Sequence, residues 1–124
     1  MPTVTRVTVA PYRLPLKSPL RWGSGHEMPA LEHVLVRVEL SDGAVGIAEA
    51  NPRPTIYGET PHSVEAVIRQ HIAPVLVGQP VNTPEDIAHA TAQYALLKNN
   101  NTARAATDMA LWGALACSHN TTLA

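Results

Sequence analysis

Alternation between apolar and polar residues dominates the first part of the chain. Valines recur at every second or third position over residues 3–14, and this β-branched alternation predicts a first strand there. Residues 32–40 and 44–50 alternate in the same way on either side of Ser41-Asp42-Gly43, a turn sequence that predicts a hairpin. The three strands should form an antiparallel sheet, one face of which needs a cover.

The remainder of the chain changes to helical spacing. Apolar residues recur at intervals of three and four, which predicts helices over about 61–73, 84–97 and 102–117. Thr60 and Thr83 each precede a proline, as an N-cap precedes the first helical position. The order of elements predicts one α+β domain over residues 1–124, a three-stranded antiparallel meander followed by a three- to four-helix bundle packed on it.

Two irregular stretches separate these elements. Pro15 and Pro19 should end the first strand, and glycine, serine and proline then predict a loop over residues 20–31. A second loop follows the third strand at residues 51–60. Both combine aromatic, cationic and branched side chains, a composition that ligand-facing lids share with ordinary loop surface. The candidate lid residues are Arg21, Trp22, His26, Arg53, Ile56 and Tyr57.

Charge and cysteine content narrow the function classes. Nine Lys and Arg stand against ten Asp and Glu among 124 residues, so the chain has no basic footprint for nucleic acid or for an anionic membrane. No apolar run approaches the ~20 residues of a membrane span. A single cysteine excludes an intramolecular disulfide, and with no signal-peptide pattern we expect a cytoplasmic protein.

Single residues carry little catalytic signal. The six histidines include no pair at i, i+4, and no second cysteine completes a zinc site. Glu49 is expected to be a buried structural acid or a site residue, with the structural role favoured. Glu59 is expected in a turn or at the approach to a helix, Cys117 as a buried thiol, and Asp108 beside Arg104 one turn earlier.

Three segments together resemble a known family. They are YRLPLKSPLRWGSG, VLVRVELSDGAVGIAEANPRPTIYGET and NNTARAATDMALWGALA, and in this order they resemble the N-terminal capping domain of the enolase superfamily, in its mandelate racemase and muconate lactonizing enzyme branch. The resemblance covers nearly the whole chain. One position departs from the pattern, because Gly113 stands where the family usually has an acid after the tryptophan.

The resemblance implies a lid rather than a catalyst. In this family the capping domain closes over a barrel that carries the acid/base lysines and the three carboxylates that bind Mg²⁺, and this chain has no Lys-x-Lys motif. No catalytic or metal-binding residue and no cofactor is therefore expected within it. The family's two lid loops correspond here to Arg21–Met28 and Pro52–Glu59. The implied activity of the parent is that of an isomerase or cycloisomerase: racemase, epimerase or lactonizing enzyme.

Three functions are compatible with these observations. The chain could be the substrate-specificity lid of such an enzyme, inactive alone; a self-associating binding or assembly module that keeps the fold; or one chain of a split enzyme whose barrel is separate. The last predicted helix contains the run DMALWGALAC, which has almost no polar face. We expect an exposed patch of Met109, Leu111, Trp112 and Leu115, covered by self-association into a homo-oligomer.

Overall fold

A computed structural model describes residues 2–22, 26–52, 59–95, 97 and 100–120, with backbone alone for residues 13–22 and 26–32. Three strands form one antiparallel sheet in the order β1-β2-β3. They are β1 (Val4–Trp22), β2 (His26–Leu40) and β3 (Val45–Ala50). The helices are α1 (Pro61–Val67), a π-helical turn (Ile68–Ile72), α2 (Ala73–Leu76), α3 (Pro84–Ala92) and α4 (Asn101–Ser118). The predicted α+β class with a three-stranded meander is confirmed.

The core lies between one face of the sheet and the helices. The alternation in β2 places Val34, Val36 and Val38 on this inner face, each fully buried. Helix α4 crosses β3 at Gly46, where a Cβ atom would lie 1.9 Å from the carbonyl oxygen of Ala110. Only glycine permits this approach of two backbones, so the position of α4 on the sheet depends on the absence of a side chain at residue 46.

The first hairpin is much longer than predicted. Residues 20–22 and 26–31 are strand, with pairs out to Trp22 and His26, so the prediction of a loop over 20–31 is wrong for them. The prolines are tolerated because β1 is an edge strand. The carbonyl oxygen of Val9 points away from β2 and accepts from Arg69 Nη2 at 3.5 Å. Pro11 and Pro15 lie two and six residues further on, so their backbone nitrogens also point away from β2, where the ladder needs no amide hydrogen.

An irregularity in the pairing accommodates the third proline. Pro15 pairs with Ala30 and Leu20 with Met28, so β1 uses more residues than β2 over this interval, and Pro19 falls inside the resulting bulge. Strand β3 pairs only with Val34–Glu39 of β2, so from the Tyr12–His33 pair to the Trp22–His26 pair β1 and β2 continue without a third strand. We call residues 13–22 and 26–32, the part of the hairpin beyond the reach of β3, the hairpin arm.

Two helix boundaries also differ from the expectation. The first helical stretch continues through Pro74 to Leu76 because the π-helical turn absorbs the proline: the amide of Ala73 bonds to the carbonyl of Ile68, five residues back. Helix α3 ends at Ala92 rather than at residue 97. Both predicted threonine caps are present, since Thr60 and Thr83 accept from the amides of Ser63 and Asp86 at 3.0 and 3.2 Å.

Helix α4 buries more of its apolar side than predicted. Leu111 and Leu115 pack into the core of the domain, at 0% and 7% exposed, so the prediction that they belong to an exposed patch is wrong. They lie on the side that faces the sheet, together with the alanines that allow close approach. Met109 and Trp112 point away and remain 58% and 40% exposed. The domain therefore covers one side of α4 and leaves two large apolar side chains uncovered.

Candidate functional site

Both predicted lid segments leave the domain at the same end of the sheet. Val34 pairs with Ala50, the last residue of β3, and the hairpin arm extends beyond Val34 on the other two strands. The segment after Ala50 therefore begins beside the base of the arm. An arm and a segment that leave the same end of a packed sheet can cover one common ligand position, which is the arrangement that a lid requires.

The structure locates only part of each predicted lid. Arg21 pairs with Glu27 and Trp22 with His26 near the far end of the hairpin arm, as backbone partners. Arg53, Ile56 and Tyr57 lie outside the described residues, so their role stays a prediction. Arg21, Trp22 and His26 thus lie on the hairpin arm, and the other three candidates belong to the segment that follows β3.

Buried residues hold the second lid segment at both of its ends. Pro52 is buried where the segment starts, and Glu59 is 2% exposed where it returns. The Glu59 carboxylate accepts hydrogen bonds from the amides of Thr102 and Ala103, at 2.9 and 3.3 Å. These are the first amides of α4, which have no partner within the helix, and a negative charge is favoured there. Glu59 therefore lies at the approach to α1, as expected, and in addition caps the N-terminus of the distant helix α4.

A cluster of three polar side chains, which we call the outer-face cluster, lies on the sheet face opposite the helices. The Tyr12 hydroxyl donates to Glu49 Oε1 at 2.6 Å, and His33 Nδ1 lies 3.5 Å from Glu49 Oε2. The Tyr12 and His33 rings stack with centroids 5.3 Å apart. The hydrogen bond to Glu49 raises the pKa of Tyr12, so the phenol keeps its proton and remains the donor.

This cluster corrects the expectation for Glu49. Its side chain is 54% exposed rather than buried, because the strand alternation that turns Ala48 and Ala50 inward turns Glu49 outward. The sequence already contained part of this arrangement, since the same alternation assigns residue 33 of β2 to the outer face. What it lacked was the register that sets Tyr12 opposite His33.

Two further expectations on α4 are wrong. Asp108 accepts a hydrogen bond from the Tyr94 hydroxyl at 2.5 Å, whereas Arg104 donates to the carbonyl of Leu97 at 3.3 Å. Burial, followed by the hydrogen bond to Asp108, raises the pKa of Tyr94. Cys117 is exposed rather than buried, because a helix places it about 200° around the axis from the buried Leu115. These contacts tie α4 to the segment after α3 and suit a structural role.

The described residues offer no site for a metal ion. They contain no group of three or more His, Cys, Asp or Glu side chains that could hold one; the resemblance assigns the magnesium ligands of the family to the barrel. None of the described helices is both long and apolar enough to cross a bilayer.

The geometry defines the class of domain. A three-stranded meander carries helices on one face and sends two segments from one end of the sheet, which is an enolase-type N-terminal capping domain. The chain belongs to the mandelate racemase / muconate lactonizing enzyme N-terminal domain family, whose model matches residues 3–124. The family assignment and the fold predicted from the sequence are both confirmed.

Relatives of known activity cover the same region. The L-Ala-D/L-Glu epimerase of Bacillus subtilis is 33% identical over 109 residues, which are 88% of this chain and 29% of the epimerase. The muconate lactonizing enzyme of Mycobacterium smegmatis, solved with muconolactone, superimposes with a TM-score of 0.86 at 44% identity, over 94% of this chain and 31% of that structure.

A third similar protein was solved with a metal ion and a dipeptide. The dipeptide epimerase of Cytophaga hutchinsonii, complexed with Mg and the dipeptide D-Ala-L-Val, superimposes with a TM-score of 0.78 at 25% identity, over 89% of this chain and 29% of that structure. The chain thus spans less than a third of the length of each of these three proteins.

Proposed function

We propose that these 124 residues are the substrate-specificity lid of a magnesium-dependent isomerase or cycloisomerase of the enolase superfamily, and that they are not catalytic by themselves. The observation that carries the proposal is that the hairpin arm, which bears the first predicted lid segment near its far end, and the second predicted lid segment both leave the sheet at the end where Val34 pairs with Ala50. The relatives' activities support the parent class: epimerization for two of them and lactone formation for the third.

The lid would act by covering and selecting a substrate. Closing two segments over a bound molecule excludes water and shapes the side of the pocket that the segments form. Arg21, Trp22 and His26 would contribute from the hairpin arm, and Arg53, Ile56 and Tyr57 from the second segment. The buried ends of the second segment, Pro52 and Glu59, give it fixed points from which to close.

The exposed side of α4 is a candidate surface for contact with a second domain. Ala105, Met109 and Trp112 are all exposed, and at about 100° per residue they fall within a stripe roughly 60° wide. We propose that this stripe packs against the barrel in the whole enzyme. It lies about 160° around the helix from Ala114 on the sheet side, so the sheet does not cover it.

A chimaera tests the lid function. Residues 1–124 would replace the corresponding part of the Mycobacterium smegmatis muconate lactonizing enzyme, with that enzyme lacking its own capping domain as the control. We expect magnesium-dependent turnover of muconolactone or of a dipeptide panel by the chimaera, and none by the 124 residues alone. A folded chimaera no more active than the control, or turnover by the 124 residues alone, would refute the proposal.

Lid variants sharpen this test. Trp22→Ala and Tyr57→Ala in an active chimaera should change KM or substrate preference far more than the melting temperature. Trp112→Ala, a change of the same type on α4, should lower the melting temperature and leave KM and substrate preference nearly unchanged if the Trp112 side chain packs on the barrel. Equal effects of all three on melting temperature alone would contradict a lid role for Trp22 and Tyr57.

The exposed α4 stripe also favours the second candidate, self-association of the isolated domain. We propose that without a barrel the 124 residues form a homo-oligomer through Met109 and Trp112, in the cytoplasm and without nucleic acid or membrane as partner. Light scattering after size exclusion should give a dimer or larger species, and Met109→Lys with Trp112→Glu should give a monomer. A wild-type monomer at high concentration would contradict this. Co-purification with a separate barrel chain would support a split enzyme instead.

A further inference from the structure

The pairing of β3 with β2 ends at Val34, and the outer-face cluster lies at the next pair of residues along the hairpin. Strand β3 pairs with β2 only as far as Val34, whose partner on β1 is Pro11. Tyr12 and His33 form the next pair. Beyond it the hairpin arm is a two-stranded ribbon, which in water is marginally stable by itself. The direction of the arm relative to the domain must therefore be set at its base.

The cluster joins all three strands where their backbone pairing ends. Glu49 of β3 accepts from the Tyr12 hydroxyl of β1 at 2.6 Å and lies 3.5 Å from Nδ1 of His33 on β2. A hydrogen bond to a carboxylate is stronger than one between neutral groups. Glu49 thus links β3 to both β1 and β2 at the base of the arm, one residue pair beyond the last backbone pairing of β3.

His33 depends on this arrangement for its position. Both of its ring nitrogens are buried without a hydrogen-bond partner, and its side chain is 13% exposed. The ring is held by stacking on Tyr12 and by the nearby Glu49 carboxylate. Loss of either neighbour would remove one of the two contacts that fix the imidazole, so the cluster should act as a unit.

The arm amplifies any change of angle at its base. From His33 to His26 the strand covers seven residues, or roughly 23 Å at about 3.3 Å per residue, so a tilt of about 10° moves the far end by roughly 4 Å. Misplacement of a substrate-contacting group by about 1 Å can cost a hundredfold in rate. A lid on this arm therefore needs its base angle fixed.

We propose that Tyr12, His33 and Glu49 are positioning residues that set the direction of the hairpin arm. The consequence for a substrate rests on the proposed lid function, whereas the effect on the arm does not. The chain offers a matched control on the same sheet face. At the opposite end Glu39 faces Arg6 and Arg37, at 3.7 and 3.5 Å, so Glu39→Gln removes an equivalent carboxylate far from the arm.

Hydrogen–deuterium exchange of the 124-residue chain tests the proposal. Tyr12→Phe keeps the ring stack and removes the donor, and Glu49→Gln removes the charge. Both should raise amide exchange in residues 13–22 and 26–32 about tenfold, with exchange in 34–40 and the denaturation midpoint nearly unchanged. Glu39→Gln should leave the arm unaffected. Unchanged arm exchange in the first two variants, or an equal rise in Glu39→Gln, would overturn the proposal.

A distance measurement supplies a readout that loss of stability would not give. Cys117 is the chain's single cysteine and is exposed, so spin labels there and at Trp22→Cys report the distance between α4 and the arm. The distribution should broaden with Tyr12→Phe and Glu49→Gln but not with Glu39→Gln. An unchanged distribution would refute the positioning role even if the chimaera is active. An inactive chimaera with a broadened distribution would refute the lid alone.

Discussion

Replacing Gly46 by alanine should displace α4 from the sheet. The new Cβ would lie 1.9 Å from the Ala110 carbonyl oxygen and 2.3 Å from the Ala114 amide nitrogen, both backbone atoms of α4. Side-chain Cβ atoms essentially never come closer than 3.0 Å to such a neighbour, so the helix must retreat by about 1 Å, since no side-chain rotation relieves a backbone contact. A gap of about 1 Å forfeits up to half of the dispersion attraction across an interface.

The loss of stability expected for Gly46→Ala lies at the upper end of the range that overpacking of a core usually causes. Inserting one carbon into a close-packed core usually costs about 1–3 kcal/mol, and here the displaced element carries Ala110, Leu111 and Ala114, all fully buried. We expect a loss of about 3 kcal/mol in the free energy of unfolding, or roughly 10 °C in Tm for a domain of this size. Urea unfolding followed by circular dichroism measures the first, and calorimetry the second.

Gly113 provides the matched control, because it faces the same crossing from the helix. A Cβ at residue 113 would lie 3.4 Å from the Gly46 Cα atom and 3.8 Å from the Ile47 amide nitrogen, which are ordinary contacts. Gly113→Ala should therefore be neutral or stabilise by up to about 1 kcal/mol, the difference in helix propensity. A Gly46→Ala protein within about 0.5 kcal/mol of the wild type, the usual effect of a surface substitution, would refute the reasoning.

Three further changes test other contacts. Glu59→Ala should cost about 1–2 kcal/mol and raise amide exchange at the start of α4, with a smaller loss for Glu59→Gln, because two helix amides lose their acceptor; equal exchange in all three proteins would contradict the capping role. The hydrogen bond from the Ser118 hydroxyl, followed by that from the Ala44 amide, lowers the pKa of Asp42 below 3.8, so the ionised carboxylate stabilises the fold above about pH 4 and this stabilisation is lost in more acid solution. In Asp42→Asn the free energy of unfolding should therefore fall less steeply toward acid pH, and an unchanged slope would contradict this role of Asp42. Burial raises the pKa of Tyr94 above 10.0, so the protonated phenol stabilises the fold below pH 10 and this stabilisation falls at higher pH. Tyr94→Phe should lower the free energy of unfolding by about 1–2 kcal/mol at pH 7 and make its decrease at alkaline pH less steep. A decrease as steep as that of the wild type would refute this role of Tyr94.

Local signals were sufficient to predict most of the elements. The valine alternation gave the inner faces of β1 and β2, and the turn at residues 41–43 gave their connection to β3, because both patterns act within a few residues. Thr60 and Thr83 were predictable as caps for the same reason: each accepts from an amide only three residues further on. Pro61 and Pro84 follow them, as the first helical position favours.

Contacts between distant residues were not predictable in this way. Glu59 caps a helix more than forty residues away, and a single acid beside a turn does not indicate which helix it will reach. The length of the hairpin arm depends on β1 being an edge strand, since Pro11 and Pro15 would end a central one. The same holds for Gly46, whose role follows from the approach of Ala110 and from no feature of its own strand.

Helix α4 shows how the arrangement of small and large residues bears on function. Alanines 103, 106, 110 and 114 are at most 2% exposed and let the helix lie close to the sheet, whereas Met109 and Trp112 stand on the opposite side. Fully burying an apolar side chain of this size is worth about 1.5–3 kcal/mol, and because Met109 is 58% and Trp112 40% exposed, the domain leaves about half of that free energy ungained at the two positions. Substitution of Trp112 should therefore change the stability of an assembly more than that of the isolated fold, and the comparison of Trp112→Ala in the chimaera and in a monomeric variant separates the two.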